Sequence, residues 1–348
     1  MSNPQAIRLA TEADAIQWNR FAEAQTGASI AHLFEWKKVF ERAYGRQTHN
    51  LCVFADRECV ALLPFVHMRG RLGGNRLVSL PYLDQGGILA SESADRSLLQ
   101  EACLSLAQRL KVRGLDFRGS SPFDRSGNLP TSRFRFLLEL GDSRESLWNV
   151  IGPKVRNQIR KSEREGLSTR RVGVDQLGDF HRIMARNMHR LGSPVHGLRF
   201  FESIASELRN RFSLYLTFDE TGNTVAGGVA LRFKSTVTVP WASSLPEARS
   251  SCPNHSLYWR VLQDALESGS KIFDFGRSSQ GTGTFHFKKQ WRAQTVPLQW
   301  TSVDTSGNPV TEEYLDPRQN AGLARMWSLM PGLLADRLGP VIRGRLSN

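Results

Sequence analysis

The amino-acid sequence predicts an α/β (α+β) chain of two similar halves, each a mixed, mostly antiparallel sheet flanked by helices. Three observations carry this: the chain is too long for one core, three sequence blocks recur in order, and both copies run hairpin, helix, strand.

At 348 residues, 40% of them hydrophobic, the chain exceeds the usual size of a single hydrophobic core and has the apolar content to build two. In the first half "LCVFADRECVALLPFVHM" reads as two strands joined by a polar turn, and "LYLTFDETGNTVAGGVALRF" repeats that pattern in the second half. "LVSLPYLD" at 77–84 matches "TVTVPWAS" at 236–243, each a β-prone run ending in proline and an aromatic, 159 residues apart. Leu99, Ala102, Leu106 and Leu110 then mark a helix, as do Leu257, Val261, Leu262 and Leu266. Each helix feeds a strand carrying an Asp-Phe pair, Asp116-Phe117 and Asp274-Phe275, at an offset of 158 residues. The expected organisation is a first domain over 1–145, a second over 146–305 with the main motifs, and a tail over 306–348 with amphipathic helices. Residues 301–320 are rich in turn formers. Beyond them Leu323, Met326, Met330 and Leu333 alternate with Arg325, Arg337, Arg343 and Arg345, a pattern that suits an anionic membrane surface, although packing on the second domain is the expectation.

Forty-six basic against thirty-three acidic residues leave a net charge of +13, which favours anionic partners such as nucleic acid, phosphorylated lipid carriers or an acidic membrane surface. The sequence contains no run of eighteen apolar residues and its start does not read as a signal peptide, so the chain is expected to be soluble and cytoplasmic. Cys52, Cys59, Cys103 and Cys252 lack C-x-x-C spacing and are expected to be reduced and buried.

The densest polar motif is "FDFGRSSQGTGTFHFKKQW", residues 273–291. It is not a P-loop, because Thr282 stands where a lysine must reach the phosphates, and not a nucleophile elbow, because Gly276 and Gly281 are one residue too far apart. The histidines show no H-E-x-x-H spacing, and His181, His189 and His196 are too evenly spread to suggest a metal. The remaining chemistry is a group transfer without metal or covalent enzyme intermediate, in which an amine attacks an activated acyl group and cations and hydroxyls steady the oxyanion. Lys288, Arg277 and Ser278 are the candidates. "KVRNQIRKSEREG" sets Arg156, Arg160 and Arg164 on one helical ridge, with Lys154 and Asn157 beside it, a candidate phosphate-binding face. "RNMHRLGSPVHG" offers Asn187 and His196 as a substrate-binding loop. Tyr82, Asp84, Trp241, Asn254, Tyr258 and Asp274 are expected around a cleft formed by strand ends and the helix start after Pro253.

These motifs, "KVRNQIRKSEREGL", "ARNMHRLGSPVHG", "VPWASSLPEARSSCPNHSLYW", "LVSLPYLDQGGILA" and the 273–291 stretch, resemble the FemAB-like proteins associated with exosortase and PEP-CTERM systems. The resemblance spans most of residues 30–300. It implies two tandem acyltransferase domains of the GNAT type and a lysine in an F-K-x-x-[FW] stretch that aids transfer, the position Lys288 occupies. It also implies no bound cofactor, the acyl donor being a co-substrate, either aminoacyl-tRNA or an acyl thioester. The acceptor it implies is an amine of an anionic envelope, peptidoglycan-like or exopolysaccharide precursor, at the inner face of the cytoplasmic membrane with peripheral membrane contact. The family pattern closes with glycine where this chain has Arg292, and it has neither the helical hairpin of tRNA-using relatives nor a Q-x-x-G-x-[GA] pyrophosphate loop. The competing class is a non-catalytic basic protein that binds nucleic acid or a phosphorylated envelope lipid or polysaccharide.

Overall fold

The computed structural model describes residues 4–70, 74–123, 131–310 and 321–346. In chain order the elements are β1 (Gln5–Leu9), α1 (Ala15–Ala24), α2 (Trp36–Tyr44), β2 (Thr48–Ala55), β3 (Glu58–Gly70), β4 (Gly74–Ser79), β5 (Leu89–Ala90), α3 (Arg96–Arg109), β6 (Gly114–Arg118) and β7 (Arg133–Glu139). Next come α4 (Arg144–Val150), α5 (Pro153–Arg164), β8 (Ser168–Val172), α6 (Leu177–Arg190), α7 (Leu198–Leu208), β9 (Phe212–Phe218), β10 (Thr224–Phe233) and β11 (Thr236–Ser244). The chain continues through α8 (Pro253–Glu267), β12 (Ile272–Ser279), α9 (Gly283–Gln290), β13 (Gln294–Pro297), β14 (Trp300–Val303), α10 (Ala321–Leu329) and α11 (Gly332–Arg343).

The expected repeat is present in the topology. One sheet runs β1-β2-β3-β4-β6-β14 with β5 on β3, and the other runs β13-β7-β12-β11-β10-β9-β8. In each, an antiparallel meander leads through one helix to a strand that returns parallel: β4 to β6, and β11 to β12. The recurring Asp-Phe pairs lie on those returning strands with both aspartates buried. Each carboxylate takes a bidentate or forked arginine, Arg76 on Asp116 at 2.7–2.8 Å and Arg135 on Asp274 at 2.7–3.2 Å.

Packing divides the chain at other points than 145 and 305. One unit takes Met1–Pro130, Leu298–Arg318 and Ile342–Asn348, the other Thr131–Pro297 and Gln319–Val341. The difference arises because β7 completes the second sheet, pairing antiparallel with both β12 and β13, while β14 pairs with β6 in the first. Of the expected tail, residues 306–310 and 342–346 go with the first unit and 321–341 with the second, and 311–320 lie outside the described residues. The first unit buries Phe65, Leu77, Leu99, Leu106 and Phe117 between sheet and α3. The second buries Phe136, Leu147, Ile159, Leu257, Phe273 and Phe275 between sheet, α5 and α8. All four cysteines are buried and unbridged, with the thiols of Cys52 and Cys59 2.8 Å apart on neighbouring strands.

Asp274 sits inside this second core with Arg135 as its counter-ion, and removing one partner of a buried pair leaves the other charge uncompensated. Asp274→Ala is therefore expected to destabilise the second unit by about 3 kcal/mol in urea denaturation, read from the shift in midpoint at unchanged slope.

Candidate functional site

The site follows from how β11 and β12 part. They pair in parallel only at Thr236↔Ile272, Val237↔Phe273 and Thr238↔Asp274, although both strands continue for five or more residues. Each breaks register just there. On β11 the ladder to β10 steps from Thr238↔Leu231 to Trp241↔Val229, bulging at Val239-Pro240, and proline has no N–H to give a ladder. On β12 the ladder to β7 steps from Asp274 to Arg277, with Gly276 at φ 72°, a backbone conformation glycine adopts without strain. The Asp274 carboxylate secures this bulge, Oδ1 accepting the Gly276 N–H at 2.9 Å and Oδ2 the Arg135 guanidinium. The facing edges of β11 after Thr238 and β12 after Asp274 are thus spread apart in the middle of a sheet.

Beside the bulge lies α9. Thr282 caps it, its hydroxyl accepting the Phe285 N–H, and alternate aromatics pin it down. Phe285 packs edge-on against Phe134 and Phe136, while Phe287 and Trp291 pack against Tyr258 and His255. This places Lys288 inward, 8% exposed, its Nζ donating to the Arg277 carbonyl at 2.8 Å, while Lys289 faces solvent. The helix ends at Arg292 with φ 60°, the left-handed conformation that explains why glycine is the easier residue at this point.

Three polar atoms around this helix, Asn254 Oδ1, His255 Nε2 and Trp291 Nε1, are buried without a hydrogen-bond partner among the described residues. His255 stacks on Trp291 at 6.0 Å, and burial, followed by the charge of Lys154, holds its pKa down at about 4. The start of α5 comes close here too: a Cβ on Gly152 would stand 2.8 Å from the Gln290 carbonyl. Buried polar groups rarely go unpaired, and these three lie on α8 and at the end of α9.

Of the residues expected from sequence, Lys288, Arg277, Ser278, Lys154, Asn254, Tyr258 and Asp274 gather around the β12 bulge, α8 and the start of α5. Several have structural work there. Tyr258 is stacked on Phe275 with its hydroxyl pKa raised by burial, Asp274 anchors the bulge, and the Ser278 hydroxyl donates to the Arg277 carbonyl at 2.9 Å. Asn187 joins the diverging end of β11, its side-chain amide donating to Ser243 at 2.8 Å. His196 and Trp241 belong instead to an aromatic cluster with Phe200 and Phe201. The arginine ridge on α5 does not act as one face: Arg156 donates to the carbonyls of Trp148 and Ile151, and Arg160 lies over Trp148 at a 330 Å³ pocket with Arg144, Glu145 and Glu163. Asn157 is exposed on α5. Tyr82 and Asp84 lie in the first unit, where the Tyr82 hydroxyl donates to the Arg343 carbonyl and the Asp84 carbonyl accepts from Trp300. His255 and Trp291 were missed; the aromatics flanking Lys288 in "FHFKKQW" were the only sequence signal.

Residues 153–289 match the acetyltransferase (GNAT) domain family, and this segment holds α5 through α9, the diverging strands included. No curated protein matches the sequence. Among solved structures, FemX superposes with TM-score 0.65 at 12% identity, over 86% of this chain and 97% of FemX. The C-terminal domain of a putative lysylphosphatidylglycerol synthetase from Agrobacterium fabrum gives 0.57 at 12%, over 94% and 96%. A tandem GNAT protein from the clavulanic acid biosynthesis pathway gives 0.53 at 12%, over 87% and 98%. The chain thus has a tandem GNAT-like fold, with the match to the GNAT domain family itself lying in residues 153–289. Among the described residues no three His, Cys, Asp or Glu side chains are grouped to hold a metal ion.

The depressed His255 pKa has a measurable consequence. An imidazole that is neutral when folded and free to protonate when unfolded makes the unfolded state bind more protons between its ordinary pKa of 6.5 and about 4, so stability falls as pH falls through that window. His32 and His49 are depressed in the same way, the first by burial and the second by burial and His67. In denaturant titrations from pH 7 to 4.5, His255→Phe is expected to reduce the slope of stability against pH by up to about 1.4 kcal/mol per pH unit, the value of one proton.

Proposed function

We propose that this protein is an N-acyltransferase or aminoacyltransferase whose reaction centre is the opened end of the β11/β12 pair in the second unit. The observation that carries this reading is the divergence of two parallel strands beside a buried lysine, within the segment that matches acetyltransferases. An acyl donor bound along the freed edge of β11 receives backbone hydrogen bonds that a closed sheet would spend on β12. The acceptor amine then attacks the carbonyl carbon, a C–N bond forms, and the bond to the thiolate or tRNA hydroxyl breaks. The leaving group takes up the proton that the amine releases. Charge builds on the carbonyl oxygen during attack, and fixed positive charge close by lowers that barrier. Lys288, held by the Arg277 carbonyl, supplies it, with Arg277 and Ser278 beside it.

Lys154, Asn254 and His255 would orient the donor or acceptor, the unpaired Asn254 and His255 atoms offering hydrogen-bonding positions to a polar group. The resemblance to FemAB-like proteins of exosortase and PEP-CTERM systems supports an amine-bearing envelope or exopolysaccharide precursor as acceptor, reached at the cytoplasmic face of the membrane. The net charge of +13 fits an anionic carrier-linked substrate.

Purified protein is to be incubated with labelled acyl thioester or labelled aminoacyl-tRNA and amine-bearing precursors, and transfer followed by mass spectrometry. Lys288→Met, which preserves side-chain length and bulk, is expected to lower the rate about 100-fold at an unchanged Michaelis constant. An unaltered rate in a folded Lys288→Met protein would remove Lys288 from the mechanism.

A further inference from the structure

The two last helices are packed with their large side chains outward. Among the described residues twelve large apolar side chains are exposed, and seven of them lie on α10 and α11. On α10 these are Leu323, Met326 and Leu329, spaced i, i+3, i+6; on α11 they include Leu333, Leu334 and Leu338, with exposures across both helices from 42% to 88%. What the helices turn inward is small. Ala324 covers Gly192, where an added Cβ would collide with its backbone, and Ala335 and Gly339 are buried, Gly339 against Val195. His189 bonds to the Met330 carbonyl at 2.9 Å and so ties the α10–α11 connection to α6. Small residues and the His189 bond thus make much of the inward contact, and the leucines, 42–88% exposed, contribute little to it.

A helix that keeps Leu and Met on its open face uses that face elsewhere. Arg325 on α10 and Arg337 on α11 are exposed among these apolar side chains, and Asp336 is the acidic residue of α11, one position away from Arg337. No helix of the described residues is long and apolar enough to cross a membrane. Apolar side chains interspersed with arginines on helices too short to span, in a chain of net charge +13, are the combination that lies in the headgroup region of an anionic bilayer. We propose that the outward face of α10 and α11 is a docking surface for an anionic lipid bilayer. Leu323, Met326, Leu329, Leu333, Leu334 and Leu338 enter the headgroup boundary, and Arg325 and Arg337 meet lipid phosphates. This assignment stands on the exposed face alone and is independent of the acyl-transfer reading.

Vesicle flotation with the full-length protein tests it. Binding is expected to vesicles of phosphatidylcholine containing about a third phosphatidylglycerol, at least tenfold above binding to phosphatidylcholine alone, and to weaken in high salt. Met326→Glu with Leu334→Glu is expected to reduce binding by at least about tenfold without lowering the melting temperature, since both side chains are exposed. Arg325→Glu with Arg337→Glu is expected to abolish the preference for phosphatidylglycerol. The proposal is overturned if the folded wild-type protein floats with neither vesicle. It is equally overturned if sedimentation shows that the leucine and methionine face joins two copies of the chain and the glutamate variants split that dimer while vesicle binding is nil.

Discussion

The buried carboxylate of Asp274 is the constraint on which the site depends. It is the last residue of β12 to face β11 in register, and its two oxygens tie the next turn of backbone, one through the Gly276 N–H and one through Arg135. Without that anchor the bulge has no fixed direction, and the strand is free to continue alongside β11. Val239-Pro240 does the complementary work on β11, since proline interrupts the ladder at the same level. A sheet normally closes such a gap because unpaired backbone is costly; here the cost is offset by an ion pair and by two residues that suit a broken ladder.

The same anchor positions charge. With β12 turned at Gly276, the Arg277 carbonyl is presented to Lys288, and the aromatic side chains on either side of that lysine hold α9 against β7 and α8. A lysine so enclosed needs a hydrogen-bond partner for its amine, and the Arg277 carbonyl supplies one. In the proposed reaction this places Lys288 in a region of low dielectric, where a positive charge would act more strongly on a developing oxyanion than a surface lysine does. The left-handed backbone of Arg292 follows from the same docking: the chain must reverse after Trp291 is seated, and a non-glycine residue accepts the strain.

Much of the architecture was legible in the sequence because it is local or repeated. Hairpins, the two crossover helices and the 158–159-residue offset all rest on periodicity within short windows, and β4 with β6 matches β11 with β12 as those offsets imply. The domain junction was not legible, because the sheet that β7 joins is decided by strands 139 residues away, as its Arg135–Asp274 pair shows. For the same reason an acidic residue at a strand end read as a substrate ligand when its partner was an arginine of the framework. Arg156 read as part of an anion-binding ridge because helical spacing reveals which face a side chain occupies, not that two carbonyls at the end of α4 already accept its guanidinium. The aromatics around Lys288 in the sequence hinted that α9 packs inward on that side, whereas the unpaired nitrogens of His255 and Trp291 exist only once α8 and α9 are packed.

In the proposed reaction the parted strands β11 and β12 receive the acyl donor. Hydrogen exchange of the backbone amides, with and without a non-transferable acyl thioester or aminoacyl analogue, addresses it most directly. Slowed exchange is expected only in residues 239–244 of β11 and 275–279 of β12, together with the start of α8. Slowed exchange elsewhere in the chain, with these two segments unaffected by a donor that supports transfer, would contradict it.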